Sequence, residues 1–237
     1  MIDLATPICR ELSEAGMPPP ERIDNPMQLS SINSMPSFKR ILIATDLSAD
    51  SATSFQVALN LCRELKADLT ILHVFENSSP VEQSLQQRSR REKDQHCLEE
   101  FHNRAQNIGV PCEVLMERGP ASLKILETIA SKDMDLVILG TSALHGLKHF
   151  LLGSTAEEVL RKAPCPVLTV GPRVPDVALT MEGPVLFATD FSLKTMNAIL
   201  FAASFSQATG SSLHCLHVLP RTSESMERSH IVPQVLS

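Results

Sequence analysis

Short apolar runs alternate with longer amphipathic stretches between Phe38 and about residue 173, and this alternation predicts the secondary structure. Each run is rich in β-branched residues and closes with a polar turn, which is typical of strands buried on both faces. The predicted strands are KRILIATD (39–46), LTILHVF (69–75), CEVLMERG (112–119), DLVILG (135–140) and CPVLTVG (165–171).

The stretches between these strands carry apolar residues at helical spacing, and they predict helices over residues 48–67, 82–107, 121–131 and 155–162. Strands that alternate with helices require right-handed crossovers and a parallel sheet covered on both faces. We therefore expect one complete five-stranded α/β domain over residues 38–173. The apolar residues of the first three helices are Phe55, Ala58, Leu59, Cys62 and Leu65; Leu85, Leu98, Phe101 and Ala105, which form a sparse inner face; and Leu123, Ile125, Leu126 and Ile129.

Residues 183–220 repeat the beginning of this pattern. They align with the first two strands without a gap, at a constant offset of 144 residues. Because the ATD-x-S and LHV blocks both stay in register, we interpret the repeat as an internal duplication. It stops after its second strand, so we expect a truncated copy, which must pack on the first domain or on a partner, or remain marginally stable. Identical pairs include Leu42/Leu186, Ala44/Ala188, Thr45/Thr189, Asp46/Asp190, Leu72/Leu216, His73/His217 and Val74/Val218.

The two ends of the chain differ from this regular pattern. Residues 1–37 contain six prolines and no sustained period, so we expect a disordered segment with at most a short helix near Ile8–Ala15. Residues 221–237 form a polar tail. The N-terminus also carries charges where a secretion signal needs a continuous apolar core, which favours a cytoplasmic protein.

Composition narrows the class of protein. The chain is 43% hydrophobic with a net charge of −6, and it has no tryptophan or tyrosine. A mildly acidic chain poor in aromatic residues is unsuited to general nucleic-acid binding, and no apolar run is long enough to span a membrane. The six cysteines include no closely spaced pair, so we expect reduced thiols, with four in apolar segments acting as small core residues. These four are Cys62, Cys112, Cys165 and Cys215.

Two loops carry the candidate chemistry, because ligands of open parallel sheets bind at the carboxyl ends of the strands. The loop after the first strand contains Thr45 and Asp46 and lacks the glycine patterns of Rossmann and P-loop nucleotide sites. Asp46 would repel phosphate, but its carboxylate could accept hydrogen bonds from a ribose or from an adenine amine.

The loop after the fourth strand runs from Gly140 to Thr155 and suits an anion better. Gly153 allows close approach of backbone, and Ser154 and Thr155 begin the next helix, where free N–H groups and the helix dipole favour phosphate. A structural interpretation is equally open at this point. Ser154 could be the N-cap of the helix, with Glu157 completing a capping box.

Histidines offer weaker candidates. His145 and His149 are four residues apart, as metal ligands on a helix are, but no acidic or cysteine partner lies near them in sequence. His214 and His217 should face opposite sides of a strand, which disfavours joint ligation. We expect His73 and His217 to be structural residues that end their strands in hydrogen bonds. No serine–histidine or cysteine–histidine catalytic arrangement can be argued from spacing.

The motifs resemble those of the universal stress protein family. The likeness lies in ILIATDLSADS, in LHV and in the block from Gly140 to Val170, and it covers about residues 38–172 in full and 183–220 as a truncated second copy. It implies a flavodoxin-like sheet with strand order 3-2-1-4-5. It also implies homodimerisation through the last strand, residues 165–171, and the apolar, uncovered edge of that strand favours the same pairing.

The resemblance further implies an ATP site. ATP-binding members of the family carry G-x2-G-x9-G-[ST] after strand 4, which Gly140, Gly153 and Ser154 match, whereas Ala143 stands in place of the second glycine. A Cβ at Ala143 intrudes where backbone should approach phosphate, and Gly146 does not restore the spacing. Asp46 matches the acidic residue near adenosine, and Val74 the apolar residue beside adenine. The implied site, with Mg²⁺ accompanying the nucleotide, comprises Thr45, Asp46, Val74, Gly140, Thr141, Ala143, Gly146, Gly153, Ser154 and Thr155.

Three functions follow from these observations. The first is an ATP-binding regulatory protein of the stress-response type without committed catalysis. The second is an interaction module of the same fold that binds no nucleotide and acts through dimerisation. The third is an enzyme, but a related ATP-pyrophosphatase would need a loop rich in glycine and serine after the first strand, and ATDLSADS is not one.

Overall fold

A computed structural model describes residues 36–48, 51–75, 85–141, 153–171 and 183–218, with the side chains of residues 85–88, 193, 194, 196 and 197 left out. The predicted disordered segment lies almost entirely outside the described residues, and so does the polar tail. Within the described part of the chain, no helix is long and apolar enough to cross a bilayer.

Five parallel strands form the main sheet in the order β3-β2-β1-β4-β5, which confirms the predicted fold class. The elements of this domain are β1 (Arg40–Thr45), α1 (Ser51–Leu65), β2 (Asp68–Phe75), α2 (Leu85–Asn107), β3 (Cys112–Arg118), α3 (Ala121–Ser131), β4 (Leu136–Gly140), α4 (Ser154–Lys162) and β5 (Val167–Val170).

Two hydrophobic cores hold helices against opposite faces of the sheet. On one face α1 and α2 meet, and the rings of Phe55 and Phe101 stack 3.9 Å apart. On the other face Leu42 and Leu72 pack against Ile125 of α3 and its neighbours. One apolar residue of α3 lies outside its buried face, because Leu123 is 49% exposed. An i, i+3, i+4 pattern cannot tell which apolar residue of a short helix lies at the margin of its buried stripe.

Residues 183–218 form a smaller unit of β6 (Val185–Ala188), α5 (Leu193–Thr209) and β7 (Leu213–Leu216). β6 and β7 pair in parallel with each other in a two-stranded sheet. The helix α5 contacts α1 of the main domain, and the ring of Phe205 meets that of Phe38 edge-on at 5.7 Å. The small unit thus contacts the domain through its helix, and its strands do not pair with the main sheet.

The turn after β6 has the same shape as the turn after β1. Leu47 and Phe191 both adopt left-handed backbone conformations, with φ of 59° and 58°. Each donates its N–H to the hydroxyl of the threonine two residues before it, Thr45 or Thr189, at 3.0 Å. Left-handed backbone is costly for a non-glycine residue, so the shared shape reflects the shared threonine–aspartate sequence of the two turns.

The cysteines differ from expectation at one position. Cys62 is buried, and burial raises the pKa of its thiol to about 12. Cys112 and Cys165 are half-buried, with pKa values raised by burial to about 11. Cys215, predicted to be a core residue, is exposed. The reason is that β7 belongs to a two-stranded sheet, which offers less cover than the five-stranded one.

Candidate functional site

A cavity of about 560 Å³ lies at the carboxyl ends of β1, β2 and β4. The two loops singled out in the sequence meet there, as the topology of an open parallel sheet requires. Its lining consists of Ala44, Thr45, Asp46, Ser48, Ser51, Leu72, Val74, Ala121, Ile125, Leu139, Gly140, Thr141, Gly153, Ser154, Thr155 and Ala156. A volume of this size is typical of small-molecule sites.

The floor of the cavity is apolar. Leu72 and Leu139 come from the sheet, Ile125 from α3 and Ala156 from α4, and Val74 lies at the rim of the same hydrophobic core. Such a surface suits a planar, weakly polar ring. Sequence reasoning identified Val74 but missed Ile125 and Ala121. The strand–helix alternation was the available signal, because every helix that follows a parallel strand begins at the edge of the sheet where ligands bind.

Asp46 lies exposed at the mouth of the cavity. Its Oδ1 atom accepts a hydrogen bond from the N–H of Ser48 at 3.0 Å, which fixes the turn. The equivalent Asp190 accepts from the N–H of Ser192 at 2.9 Å and also from the hydroxyl of Thr195 at 2.8 Å. These hydrogen bonds lower the pKa of Asp190 to about 2, so its carboxylate is ionised at neutral pH.

The predicted capping box at the start of α4 is wrong. The N-cap is Gly153, with φ −62° and ψ 154°, and the helix already includes Ser154. A glycine has no side chain with which to cap, and Glu157 pairs instead with Arg161 at 2.5 Å, one turn further on. The first N–H groups of α4 therefore have no side-chain cap and border the cavity, which favours an anion there.

Gly140 has a structural reason to be glycine. A Cβ at this position would lie 3.1 Å from the Oγ atom of Ser54, which is buried on α1 and donates to the carbonyl of Ser51 at 2.8 Å. Next to it, Thr141 donates its N–H to the carbonyl of Val170 at 2.9 Å. The end of β4, at Gly140 and Thr141, is therefore held between α1 and the end of β5.

Several residues of the predicted sites lie outside the described part of the chain. Ala143 and Gly146 lie outside the described residues, as do His145 and His149, so both the glycine-loop departure and the metal hypothesis stay predictions. The described residues include no group of three or more His, Cys, Asp or Glu side chains that could hold a metal ion.

The structural role predicted for the strand-ending histidines is confirmed. The Nδ1 atom of His73 lies 2.9 Å from the carbonyl oxygen of Thr45. In the smaller unit, the Nδ1 atom of His217 lies 2.7 Å from the carbonyl oxygen of Thr189. Each histidine thus joins the end of one strand to the end of its neighbour.

Comparison with known proteins gives the class to which this fold and site belong. The model of the universal stress protein family matches residues 37–171, so the chain belongs to that family. A universal stress protein of Methanocaldococcus jannaschii is 34% identical over 139 residues, which are 56% of this chain and 82% of the relative. A protein of Staphylococcus aureus named for the same family is 33% identical over 142 residues, 57% of this chain and 86% of its own length.

Among solved structures, a universal stress protein from Archaeoglobus fulgidus is similar in fold. The two chains have a TM-score of 0.64 at 24% identity, and the match covers 78% of this chain and 69% of that chain. This similarity covers more of the chain than the family match at residues 37–171.

Proposed function

We propose that this chain is a cytoplasmic regulatory protein of the universal stress family that binds an adenine nucleotide, ATP above all, without committed catalysis. One observation carries the proposal. A single cavity combines an apolar floor and a carboxylate, Asp46, with the uncapped N-terminus of α4 at Gly153–Thr155. A nucleotide needs both environments in one cavity, because its nucleoside packs on the apolar floor and its phosphates bind the N–H groups of the helix.

The adenosine moiety fits the side formed by β1 and β2. The ring would lie on the apolar floor near Val74 and Leu72, and Asp46 would accept hydrogen bonds from the ribose hydroxyls. A hydrogen bond to an ionised acceptor is stronger than one between neutral groups, so Asp46 would contribute a substantial share of the selectivity for a nucleoside.

The phosphates fit the side formed by Gly140, Thr141 and the start of α4. The N–H groups of Ser154 and Thr155 and their hydroxyls are available donors, and the helix dipole adds a favourable field. Since no cluster of metal ligands exists among the described residues, Mg²⁺ would arrive bound to the nucleotide.

The lining does not resemble that of a hydrolase. Asp46 is the one ionisable side chain among the described lining residues, and it belongs to the adenosine side. A general base must lie within hydrogen-bond reach of the attacking water. We therefore expect turnover of bound ATP to be slow.

Calorimetric titration of the full chain with ATP tests the proposal. We expect binding, and we expect Asp46→Asn to weaken it by about tenfold, because the amide keeps the acceptor for the N–H of Ser48 but loses the charge. Asp190→Asn is the matched control and should leave ATP affinity unchanged. The absence of heat with about 100 μM ATP would exclude a physiologically useful ATP site.

Homodimerisation through residues 165–171 is a second proposal. β5 pairs with β4 alone among the described strands, and the two-stranded sheet of the smaller unit does not pair with its free edge. A dimer of this kind would also support the alternative function, an interaction module that binds no nucleotide. We propose in addition that residues 183–220 are a truncated second copy of the domain, since their turn reproduces the Asp46 turn.

A further inference from the structure

One face of the two-stranded sheet is apolar and exposed. In the register of β6 and β7, Leu186 lies beside His214 and Ala188 beside Leu216, so these residues share a face, and Val218 continues it. Leu186 is 64% exposed, Leu216 44% and Val218 75%. The helix α5 contacts both strands, and Val185 and Phe187, which alternate with the exposed residues, are half-buried.

The equivalent face of the main sheet shows what covers such a surface. Leu42 and Leu72 occupy the same positions as Leu186 and Leu216, and both are fully buried. They pack in one cluster with Ile125 and Ile129 of α3, residues four apart on one side of that helix. Parallel sheets are almost always covered on both faces, and among the described residues no counterpart of α3 covers this one.

The charge at the end of β6 favours one orientation for a helix docked on this face. The first residue of α3, Ala121, lines the same cavity as Asp46, so the positive end of the helix dipole and that carboxylate border one cavity. The ionised Asp190 has the equivalent position at the end of β6. A helix that docked in the same orientation would bring its N-terminus to Asp190.

The size of the face favours a single helix over a whole subunit. Its apolar part comprises four side chains, three on two short strands and Val218 just beyond β7. A stable protein–protein interface takes roughly 20 to 30 residues from each partner, whereas helix-in-groove recognition uses a few apolar anchors at i, i+3 and i+4, a number that matches this face.

We propose that the face formed by Leu186, Ala188, Leu216 and Val218 docks an amphipathic helix of a partner protein. The helix has branched apolar residues at positions i and i+4, and its N-terminus lies at Asp190. This interaction is independent of nucleotide binding at the cavity of the main domain.

A synthetic peptide of residues 119–134, which contains α3, is the direct probe. Titrated into the full isotope-labelled chain, it should shift the NMR signals of β6 and β7 with a dissociation constant below about 1 mM, since a short helix is only marginally stable when free. A peptide with Ile125→Asp and Ile129→Asp should bind more than about tenfold more weakly, because two buried branched side chains are lost.

Chain variants locate the binding surface. Leu186→Asp should abolish peptide binding, and the milder Leu186→Ala should weaken it, which keeps the test valid if the aspartate variant unfolds. Ile108→Asp is the matched control, because Ile108 is 42% exposed outside this face, and it should bind the peptide as the parent chain does.

Three results would overturn the proposal. The first is the absence of any shift at millimolar peptide, and the second is binding that Leu186→Ala and Leu186→Asp leave unchanged. The third is a dimer by light scattering that becomes a monomer in Leu186→Asp, since a second copy of the chain would then occupy the face.

Discussion

The ring of His73 donates a hydrogen bond from Nδ1 to the carbonyl oxygen of Thr45, 2.9 Å away, because a carbonyl can only accept. The side chain is buried, and its Nε2 atom lies 3.8 Å from the carboxylate of Asp94 on α2. The hydrogen bond from Nδ1 fixes the end of β1 immediately before Asp46. A buried histidine thus supports the turn that carries Asp46, the residue proposed to bind the ribose.

Replacement of His73 by leucine should destabilise the domain. The carbonyl of Thr45 would lose its partner in a buried place, which costs about 1–3 kcal/mol in the free energy of unfolding. Urea denaturation measures this change. His217→Leu is the matched control, and its cost should be smaller because His217 is only half-buried and water can replace the ring. Equal costs for the two variants would contradict the argument.

Gly140→Ala should also destabilise the fold, through contact with Ser54. The new Cβ would lie 3.1 Å from Oγ of Ser54, and overpacking of this kind costs about 1–3 kcal/mol. Adding Ser54→Ala removes the opposing atom, so the double variant should lose less stability than the sum of the two single variants. If the losses in the free energy of unfolding were strictly additive, the contact between the new Cβ and Ser54 would not be the cause of the destabilisation.

Ser154→Pro separates phosphate binding from helix stability. Proline suits the first position of a helix, and Gly153 already has the extended backbone that precedes proline, so α4 should remain folded. The variant removes one N–H group and one hydroxyl from the proposed phosphate site. We expect weaker binding of ATP and unchanged binding of adenosine by calorimetry.

Ser154→Ala is the control for that variant, because it keeps the N–H group. Its affinity for ATP should lie between those of the parent chain and Ser154→Pro. If Ser154→Pro weakened adenosine and ATP equally, the phosphates would not bind at the start of α4.

Thr169→Pro tests dimerisation at the free edge of β5. The carbonyl of Pro166 accepts from Val137 of β4, and that of Val170 accepts from Thr141, the residue after β4. The alternate residues Val167 and Thr169 therefore direct their N–H and C=O groups away from β4. Proline at residue 169 removes an outward N–H group without breaking the β4 ladder. Light scattering should show a dimer for the parent chain and for the control Thr169→Val, and a monomer for Thr169→Pro.

The sequence predicted the fold well because the apolar runs are long enough to be unambiguous. The strands β1, β2 and β4 are buried on both faces, and Ile41, Ile71 and Ile138 are fully buried, as continuous apolar runs require. The helix 121–131 was placed at its observed bounds. Cys215 was misjudged because burial depends on what covers a strand, and an apolar run does not reveal its cover.

The candidate site could be predicted only in part. The positions of Asp46 and Gly153 follow from topology, since both lie in loops at the carboxyl ends of strands. The start of α4 was misplaced by one residue because Ser-x-x-Glu is a capping signal even where a preceding glycine begins the helix. Ile125 was expected only as a core residue, although its helix also borders the cavity.

The matching turns at Leu47 and Phe191 indicate that the ligand-binding turn is formed before a ligand binds. The second turn keeps its left-handed residue and its aspartate hydrogen bond although no counterparts of β4 and α4 lie beside it in the described chain. Its conformation is therefore encoded locally, and the Asp46 turn should be equally rigid before any nucleotide binds. The part of the site that would bind the nucleoside is therefore preorganised. The conformational entropy of this turn is lost during folding, so ligand association does not have to order it again.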